Sequence, residues 1–294
     1  MSGGTASGHD RFRAPPAALI DAQVRAALVE DLGSGDATAL LLEDAPAEAR
    51  VTCKESAVIA GGPWFDACFR ALDPGARIDW HASEGERVEA GTVVCTIHAR
   101  TRAIVSAERS ALNFLQTLSA TATATARYAE ALAGTRTRVL DTRKTLPGLR
   151  QAQKYAVRVG GGTNHRIGLY DAVMLKENHI AAAGSITAAV GRARALHPRL
   201  PIIIEVESLA ELDEALATGC TRILVDDFDE AMLAEAVRRA AGRMPLEVSG
   251  SVSLERLPSI AATGVDYVSV GALTKHVRAI DFSLRLSGPA AARR

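Results

Sequence analysis

The sequence predicts an α/β protein in which a small α+β domain precedes a barrel of parallel strands. Six short apolar runs recur from about Thr137 onward, with helical stretches between several of them. Residues 217–226 and 262–271 share a helix end, a glycine and a strand, as successive βα units do. Between Arg50 and Val105, short β-prone runs instead alternate with turn signals, which indicates an antiparallel sheet. Six βα units in succession favour a barrel over an open parallel sheet.

Two helices flank the predicted antiparallel sheet in the sequence. Apolar residues have helical spacing from about Pro16 to Leu28, and the acidic, glycine-containing stretch 30–38 predicts a loop after them. A long helix is predicted to begin near Ser106, because a serine hydroxyl is a suitable N-cap. The apolar side chains on one face of that helix are Ala111, Leu112, Leu115 and Leu118.

The second domain is predicted to alternate strands with helices. Ser208 and Glu211 form an S-x-x-E capping box at the start of one helix, and Gly219 ends that helix. The six predicted strands are RVL (138–140), AVML (172–175), IIIEV (202–206), RILV (222–225), LEV (246–248) and YVSV (267–270).

Composition and charge limit the classes of protein to which the chain can belong. It has 294 residues, and its 34 basic and 34 acidic residues cancel, so no net field favours nucleic acid or an anionic membrane. Cys53, Cys68, Cys95 and Cys220 lack metal-ligand or CxxC spacing and are expected to be buried and reduced. No apolar run approaches the ~20 residues of a membrane-spanning helix, and residues 1–10 lack the apolar core of a signal peptide. A cytoplasmic location is therefore expected.

Side chains that follow the barrel strands are the candidates for chemistry, because the carboxyl ends of parallel strands converge on one mouth. Cations, carboxylates and small residues all occur there, and a phosphorylated, metal-bound substrate requires that combination. These residues are Arg143, Lys144, Lys176, Glu205, Glu207, Asp226, Asp227, Ser249, Gly250 and Gly271.

Charge is unevenly distributed along the second domain. Residues 135–180 contain nine basic and three acidic residues, whereas residues 201–235 contain ten acidic residues and one basic residue. Some of these acids belong to solvated helix surfaces. Glu205 and Asp226, however, follow apolar strands, so each needs a partner, a proton or a metal ion. Magnesium or a hydrogen bond to substrate is one interpretation, and an ordinary salt bridge to Arg or Lys is the other.

Two glycine-containing segments invite comparison with phosphate-binding loops. Residues 157–166 contain three consecutive glycines but lack the GK[ST] ending of a P-loop and the spacing of a dinucleotide fingerprint. Ser249, Gly250 and Ser251 leave a predicted strand and precede a helix, so their backbone amides can hold a phosphate. We therefore predict that the second segment is the phosphate loop.

One known family shares a long stretch of this sequence. The segment DTRKTLPGLRQAQKYAVRVGGGTNHRIGLYDAVMLKENHI resembles the central signature of the quinolinate phosphoribosyltransferases, also called nicotinate-nucleotide pyrophosphorylases (carboxylating). ERSALNFLQ, IEVES, ILVDDF, VSGSV and VGALTKHVRAIDFSLRL extend the resemblance over residues 27–286. It implies an N-terminal α+β sandwich domain, residues 1–120, joined by the C-terminal segment 279–294. It also implies an incomplete α/β barrel over residues 121–278.

The resemblance implies an enzyme that joins the ring nitrogen of quinolinate to the ribose of phosphoribosyl pyrophosphate (PRPP). The products are then nicotinate mononucleotide, pyrophosphate and CO2, as in de novo NAD biosynthesis. The implied quinolinate pocket contains Arg143, His165, Arg166 and Lys176, with Thr142 and with Arg109 from the partner subunit. The implied PRPP ligands are Lys144 for the pyrophosphate, Glu205 and Asp226 for the ribose, and Ser249, Gly250, Ser251 and Gly271 for the 5-phosphate. The implied catalytic residues are Lys144, Lys176, Glu205 and Asp226.

The expected cofactor is Mg²⁺, bound with PRPP and held directly or indirectly by Glu205 and Asp226. No organic cofactor is expected, and the implied assembly is a homodimer, alone or within a hexamer. Two residues depart from the family pattern. Asp227 stands where Asn is commoner, and Ser251 stands where Gly is commoner, which bears on metal and phosphate binding.

Three other functions share some of these features. A phosphoribosyltransferase-like paralogue associated with molybdate transport has much of the central signature, but Lys176 favours quinolinate as the substrate. A Schiff-base aldolase barrel would use Lys144 or Lys176 as its nucleophile. A non-catalytic barrel that binds phosphosugars would show no turnover.

Arg109 is predicted to lie in the first turn of the helix that begins near Ser106. A cation there opposes the helix dipole at a cost of roughly 0.3 to 1 kcal/mol at an exposed site. Two interpretations account for this cost. Either the neighbouring Glu108 compensates for it, or Arg109 projects across a homodimer interface toward a substrate carboxylate.

Overall fold

The computed structural model describes residues 12–250 and 252–287, which form two compact units. Unit 1 comprises the described residues up to Ala124, Leu146–Gly161, and the described residues from His276 onward. Unit 2 comprises Thr125–Thr145 and Gly162–Lys275. Residues 146–161 therefore group with unit 1, although along the chain they separate two strands of unit 2.

The described chain contains helices and strands throughout its length. In chain order they are α1 (Ala17–Leu32), a 3-10 turn (Ala39–Leu41), β1 (Pro46–Cys53), β2 (Ala57–Val58), α2 (Gly62–Leu72), β3 (Arg77–Trp80), β4 (Arg87–Val88), β5 (Val93–Arg100), α3 (Thr101–Ala131), β6 (Arg138–Leu140), α4 (Arg150–Val159), β7 (Val173–Leu175), α5 (Glu177–Ala183), α6 (Ile186–Leu196), β8 (Ile202–Val206), α7 (Leu209–Ala217), β9 (Arg222–Asp226), α8 (Glu230–Ala240), β10 (Leu246–Ser249), α9 (Leu257–Ala262), β11 (Tyr267–Ser269), α10 (Ala272–Lys275) and β12 (Phe282–Leu286). Within the described ranges, no helix combines the length and the apolar character that crossing a membrane requires.

Unit 1 is built on a four-stranded antiparallel sheet in the order β12, β1, β5, β3. Along β1, the buried Ala49, Val51 and Cys53 alternate with Arg50 and Thr52, so one face of the strand packs in the core. The predicted antiparallel sheet is confirmed. Helix α2 lies within the same segment and is absent from the sequence prediction, because its opening GGP resembles a turn. Proline is nevertheless tolerated in the first turn of a helix, where Pro63 lies.

Helix α3 begins earlier than predicted, and Ser106 does not cap it. The helix starts at Thr101, directly after β5, where the Thr101 backbone N–H and hydroxyl both donate to the Ala45 carbonyl. Ser106 lies inside the helix, and its hydroxyl donates to the Asp36 carboxylate at 2.7 Å. The prediction that Arg109 lies in the first turn is therefore wrong. The helix dipole acts mainly on the first turn, so it does not explain the position of Arg109.

A buried carboxyl group stabilises the start of α2. Glu84 is 3% exposed, and its Oε1 accepts hydrogen bonds from the backbone N–H groups of Gly61 and Gly62 at 2.9 and 2.6 Å. The first N–H groups of a helix have no partner within the helix, so this carboxyl group supplies one. Burial raises the pKa of Glu84 to about 7, because these hydrogen bonds only partly offset the desolvation of its charge.

Glu84→Gln is expected to reduce the pH dependence of stability. The pKa of Glu84 is about 7 in the folded state against an ordinary value of 4.5, so the folded state binds the proton more tightly. The contribution of Glu84 to the free energy of unfolding is therefore greatest below about pH 4.5 and falls as the pH rises to about 7. The total change is at most about 3 kcal/mol. Glutamine keeps the acceptor oxygen and does not ionise, so this change should disappear.

Urea unfolding at about pH 5 and about pH 8 measures the effect. The control is Glu86→Gln, which neutralises an exposed carboxylate two residues away and should keep the wild-type difference. A Glu84→Gln variant with the full wild-type difference would contradict the assignment.

Unit 2 contains a six-stranded parallel sheet in the order β6, β11, β10, β9, β8, β7. These strands coincide with the six predicted runs. From β7 to β11 each strand pairs with its successor, and β6 pairs with β11, so the two edge strands are successive in the chain. This is the order of a barrel that stays open between its first two strands. On the open side, Thr163 makes a single parallel bridge to Leu140. The predicted incomplete barrel is confirmed.

The two faces of this sheet bury different kinds of side chain. Ile204 and Val206 of β8 belong to a large apolar cluster that includes residues of the surrounding helices. Ile203 and Leu224 belong to a separate small cluster on the opposite face. Because side chains alternate along a strand, Glu205 points to that second face, which is the barrel interior.

Two local sequence signals are confirmed by side-chain geometry. The Ser208 hydroxyl accepts from the Glu211 backbone N–H at 3.2 Å and caps α7. All four cysteines are buried free thiols. Burial raises the pKa of each thiol, to about 12 for Cys68, so each favours the protonated, unreactive form.

Candidate active site

A cavity of about 240 Å³ lies at the carboxyl ends of the unit 2 strands and contains most of the predicted site residues. The predicted residues that line it are Thr142, Arg143, Lys144, His165, Arg166, Lys176, Glu205 and Ser249. The lining is completed by Met174, Leu224, Glu247 and Ser269. Four Arg and Lys side chains against two carboxylates give the lining a formal charge of +2. A cavity with this charge favours a ligand that carries two negative charges.

Asp141 connects the end of β6 to the loop that carries His165 and Arg166. Its side chain is fully buried. Asp141 Oδ1 accepts from the His165 backbone N–H at 2.8 Å, and Oδ2 accepts from Asn164 Nδ2 at 2.6 Å. The loop occupies the open side of the barrel, where strand pairing is limited to one bridge. Side-chain hydrogen bonds therefore position this part of the site.

Arg143 and Arg166 interact electrostatically in the cavity wall. Burial lowers the pKa of Arg166, repulsion from Arg143 lowers it further, and Asp171 has the opposite effect. The Arg166 guanidinium is oriented by donation of Nη1 to the Ala172 carbonyl at 3.1 Å. Guanidinium groups bind carboxylates in a bidentate manner. A carboxylate bound beside both groups would relieve their repulsion.

Lys176 and Glu205 form an ion pair across the mouth of the cavity. Lys176 follows β7, Glu205 lies on the adjacent β8, and Lys176 Nζ is 2.6 Å from Glu205 Oε2. The Glu205 side chain is 10% exposed and that of Lys176 is 43% exposed, so the ammonium is the more accessible partner. The structure thus contains the salt bridge that the sequence leaves as an alternative for Glu205.

The predicted phosphate loop begins beside Asp226. Ser249, at the end of β10, pairs in register with Asp226, at the end of β9. Gly250 has a φ of 109°, and a Cβ atom there would overlap the Asp227 carboxylate, so glycine is required. Asp227 has a φ of 53°, a conformation that Asn and Asp adopt more readily than other side chains. Ser251 lies outside the described residues.

Gly271 lies against the side chain of Lys144. A Cβ atom on Gly271 would be 3.0 Å from Lys144 Cδ and 3.6 Å from Thr142 Oγ1. The Lys144 backbone is held by two hydrogen bonds. Its N–H donates to Thr142 Oγ1 at 3.1 Å, and its carbonyl accepts from Thr274 Oγ1 at 2.8 Å. These contacts fix the base of the Lys144 side chain, while the residue as a whole remains exposed.

Arg109 belongs to unit 1 and is exposed on α3. Burial raises the pKa of the neighbouring Glu108, and the positive charge of Arg109 lowers it. Arg109 thus acts on Glu108, but at its position inside α3 no helix-dipole cost is left for Glu108 to compensate. Its role at a subunit interface stays a prediction.

Glu247 lines the cavity but is absent from the predicted site residues. In the sequence it stands between Leu246 and Val248, and the run LEV predicts only an apolar strand. Both neighbours pack in the large cluster that includes helix residues. Alternation along β10 therefore directs Glu247 into the barrel interior. An acid at the centre of a short apolar run is the signal that could have identified it.

Glu205 and Asp226 extend from the neighbouring strands β8 and β9 and are the carboxylates that could hold Mg²⁺. In the part of the chain that the structure describes, no group of three or more His, Cys, Asp and Glu side chains could hold a metal ion. Mg²⁺ is commonly bound by one or two carboxylates, with water and substrate phosphates as its other ligands. The two residues therefore fit a metal ion that is bound together with a phosphorylated substrate.

Known proteins resemble this chain along most of its length. Family models of the quinolinate phosphoribosyl transferase N-terminal and C-terminal domains match residues 36–119 and 121–285. The probable nicotinate-nucleotide pyrophosphorylase (carboxylating) of Synechocystis sp. is 44% identical over 278 residues, covering 92% of this chain and 94% of that protein. The nicotinate-nucleotide pyrophosphorylase (carboxylating) of Mycobacterium leprae is 44% identical over 241 residues, covering 79% of this chain and 84% of that protein.

A solved structure agrees with these sequence matches. The nicotinate-nucleotide pyrophosphorylase from Francisella tularensis has a TM-score of 0.91 and 40% identity to this chain, and the match covers 97% of this chain and 100% of that one. Both sequence and fold therefore lead to the same assignment. The chain belongs to the quinolinate phosphoribosyl transferase family, as its sequence predicts.

Proposed function

We propose that the protein transfers the phosphoribosyl group of PRPP to quinolinate with loss of CO2, giving nicotinate mononucleotide and pyrophosphate. It is then a pentosyltransferase of de novo NAD biosynthesis that works in the cytoplasm. The observation that carries the proposal is the cavity lined by four cations and two carboxylates, because quinolinate is a compact dianion. Relatives named for this reaction match most of the chain and support the proposal.

The quinolinate carboxylates are bound by Arg143, Arg166 and Lys176 in this proposal. The mutual repulsion of the two guanidinium groups favours a carboxylate between them. Lys176 exchanges part of its ion pair with Glu205 for the second carboxylate, since its side chain is the more exposed of the pair. His165 and Thr142 complete the wall, and Arg109 of the partner subunit supplies a further cation.

PRPP is bound at the adjoining strand ends. The backbone amides of the loop that begins at Ser249 and Gly250 bind the 5-phosphate, with Ser251 and Gly271 beside it. Lys144 neutralises the pyrophosphate as it leaves, because its exposed ammonium extends from a fixed backbone. Glu205 and Asp226 would hold Mg²⁺ together with the pyrophosphate, and the bound ion would supply further neutralisation of the leaving group.

The ring nitrogen of quinolinate provides the driving force for decarboxylation. Departure of pyrophosphate gives the ribose C1 cationic character, which the carboxylates of Glu205 and Asp226 stabilise. Attack by the ring nitrogen forms the N-glycosidic bond and leaves that nitrogen positively charged. The electron pair of the bond to the 2-carboxylate then remains with the ring as CO2 leaves, and the ring carbon takes up a proton. The pyridinium is itself the electron acceptor, so this chemistry uses no organic cofactor.

Direct assay tests the proposed function. The purified protein is incubated with quinolinate, PRPP and Mg²⁺, and nicotinate mononucleotide, pyrophosphate and CO2 are measured in equal amounts. Absence of product in a protein that is folded and binds PRPP would refute the proposal. Borohydride trapping with a carbonyl substrate tests the Schiff-base alternative. That alternative requires an activated amine, whereas Lys176 is ion-paired with Glu205.

Mixing two inactive variants tests the proposed homodimer and the role of Arg109. Arg109→Ala removes a cation contributed to the partner's site, and Lys176→Ala removes one from the subunit's own site. About half of the dimers in an equal mixture contain one subunit of each kind. Each of these has one intact site, so activity should recover to about a quarter of the wild-type value. No recovery after demonstrated subunit exchange would mean that Arg109 does not act across an interface.

A further inference from the structure

The carboxylate of Glu247 connects His165 to Arg222 inside the unit 2 barrel. Glu247 is 0% exposed. Its Oε1 is 3.4 Å from His165 Nε2, and its Oε2 is 3.0 Å from Arg222 Nε. Arg222 begins the adjacent strand β9, and its guanidinium lies over the Tyr267 ring, 5.3 Å from the ring centre. One buried carboxylate therefore faces a different partner with each oxygen.

The hydrogen bonds of His165 determine which ring nitrogen carries its proton. The backbone N–H of Arg166 donates to His165 Nδ1 at 2.6 Å, so Nδ1 is an acceptor. The proton of the neutral ring is therefore on Nε2, which faces Glu247. His165 Nε2 approaches Glu247 Oε1 to 3.4 Å, a close polar contact without the geometry of a hydrogen bond.

A carboxylate suits both partners of residue 247. His165 Nε2 and the Arg222 guanidinium each lie close to one of its oxygens, without the geometry of a hydrogen bond, so the residue between them needs an acceptor oxygen on both sides. Glutamine has one acceptor oxygen and one donor amide. At one of its two contacts, the glutamine N–H would therefore face the N–H of the partner. Burial raises the pKa of Glu247, but its interactions with His165 and the charge of Arg222 outweigh burial and hold it below its ordinary value. The group is accordingly present as a charged carboxylate.

Arg222 acts on the site from outside it. It lines a second cavity, of about 500 Å³, near the amino ends of the strands, where Pro201 and Pro245 precede β8 and β10. The site cavity contains Glu247 and His165 in its wall. Arg222 is not part of the site-cavity lining, but His165 and Arg166 line both cavities, so Glu247 and these two residues connect Arg222 to the site.

We propose that Glu247 and Arg222 are positioning residues for quinolinate binding. Together they hold the His165 ring, and His165 Nδ1 in turn holds the backbone N–H of Arg166. The proposal rests on the assignment of quinolinate as substrate. Arg222 lies against one oxygen of Glu247, and the other oxygen lies against His165 Nε2. His165 Nδ1 in turn accepts from the Arg166 backbone N–H. Loss of this chain of contacts shifts the Arg166 backbone and so weakens the placement of its guanidinium, which the Ala172 carbonyl also orients.

Rescue of one variant by a second substitution tests the proposal. Glu247→Gln should weaken quinolinate binding by about tenfold or more in calorimetric titration, because the amide cannot serve both donors. Its KM for quinolinate should rise more than its kcat falls. Adding Arg222→Met removes one donor, so the glutamine oxygen is free to accept from His165, and binding should return to within about threefold of wild type.

The matched control adds Arg138→Met to Glu247→Gln instead. Arg138 is an exposed cation at the start of β6, on the strand next to that of Tyr267, and its removal should rescue nothing. Equal rescue by both second substitutions, or rescue by neither, would overturn the proposal. Circular dichroism establishes that each variant is folded.

A measurement on the wild-type protein tests the proposal if the variants do not fold. Nitrogen-15 NMR, with His165 identified by its loss in His165→Gln, should show a neutral ring protonated on Nε2. A proton on Nδ1, or a charged ring, would overturn the proposal. This readout needs no substrate. Failure of the wild-type protein to bind quinolinate would therefore refute the proposed function alone.

Discussion

Nicotinate is expected to be used at least about 10⁴-fold less efficiently than quinolinate, measured as kcat/KM at saturating PRPP and Mg²⁺. Nicotinate lacks the 2-carboxylate, so it leaves part of the Arg143, Arg166 and Lys176 cluster without an anionic partner. A site built to bind a polar group rejects an analogue without that group by about this factor, because its own polar groups are left unpaired. Loss of the second carboxylate also removes the group that would depart as CO2.

Product analysis is the appropriate measurement, since both substrates would give nicotinate mononucleotide. Release of CO2 distinguishes turnover of quinolinate from turnover of nicotinate, and each substrate is assayed separately with the same enzyme sample. A control with PRPP alone corrects for its hydrolysis. A kcat/KM for nicotinate within about tenfold of that for quinolinate would mean that the +2 cavity does not select a dianion.

Lys144→Ala is expected to lower kcat by about 10² to 10³-fold while quinolinate affinity changes by less than about threefold. The ammonium of Lys144 is proposed to stabilise charge that develops on the departing pyrophosphate, and removing one such group typically costs this factor. Its backbone is held by Thr142 and Thr274, so alanine should leave the local structure unchanged. Quinolinate is bound by other residues, which explains why its affinity should persist.

The control for this prediction is Lys275→Ala, which removes an exposed ammonium at the end of α10 in the same unit. It should retain wild-type kcat. Single-turnover kinetics and direct titration of quinolinate separate chemistry from binding. A Lys144→Ala variant with normal kcat and much weaker quinolinate binding would mean that the roles assigned to Lys144 and Arg143 must be exchanged.

Local patterns predict the elements that depend mainly on neighbouring residues. The apolar runs of unit 2 form strands, and the polar residues after them, such as Lys144, Glu205 and Ser249, line one cavity. This succeeds because parallel strands carry their carboxyl ends to the same edge, whatever the loops between them do. Most residues of the candidate site can therefore be selected from their position at the end of a predicted strand, without knowledge of any contact.

Local sequence patterns fail to predict the contacts of a polar side chain that has more than one possible partner. The sequence favours Ser106 as a helix cap, but its hydroxyl bonds to Asp36, which is 70 residues away along the chain. Glu247 belongs to an apolar run, but its side chain contacts His165 and Arg222. In both cases the deciding partner comes from a distant segment, so no window of neighbouring residues contains it.

The family, the order of strands and helices in the barrel, and the residue types at the strand ends can all be inferred from the sequence alone. Three contacts become known only from the folded chain: Lys176 pairs with Glu205, Gly271 packs against Lys144, and the His165 ring lies beside the Glu247 carboxylate. The difference arises because apolar periodicity acts over a few residues of one segment. A buried charge or hydrogen bond is instead satisfied by whichever group the fold brings within about 3 Å.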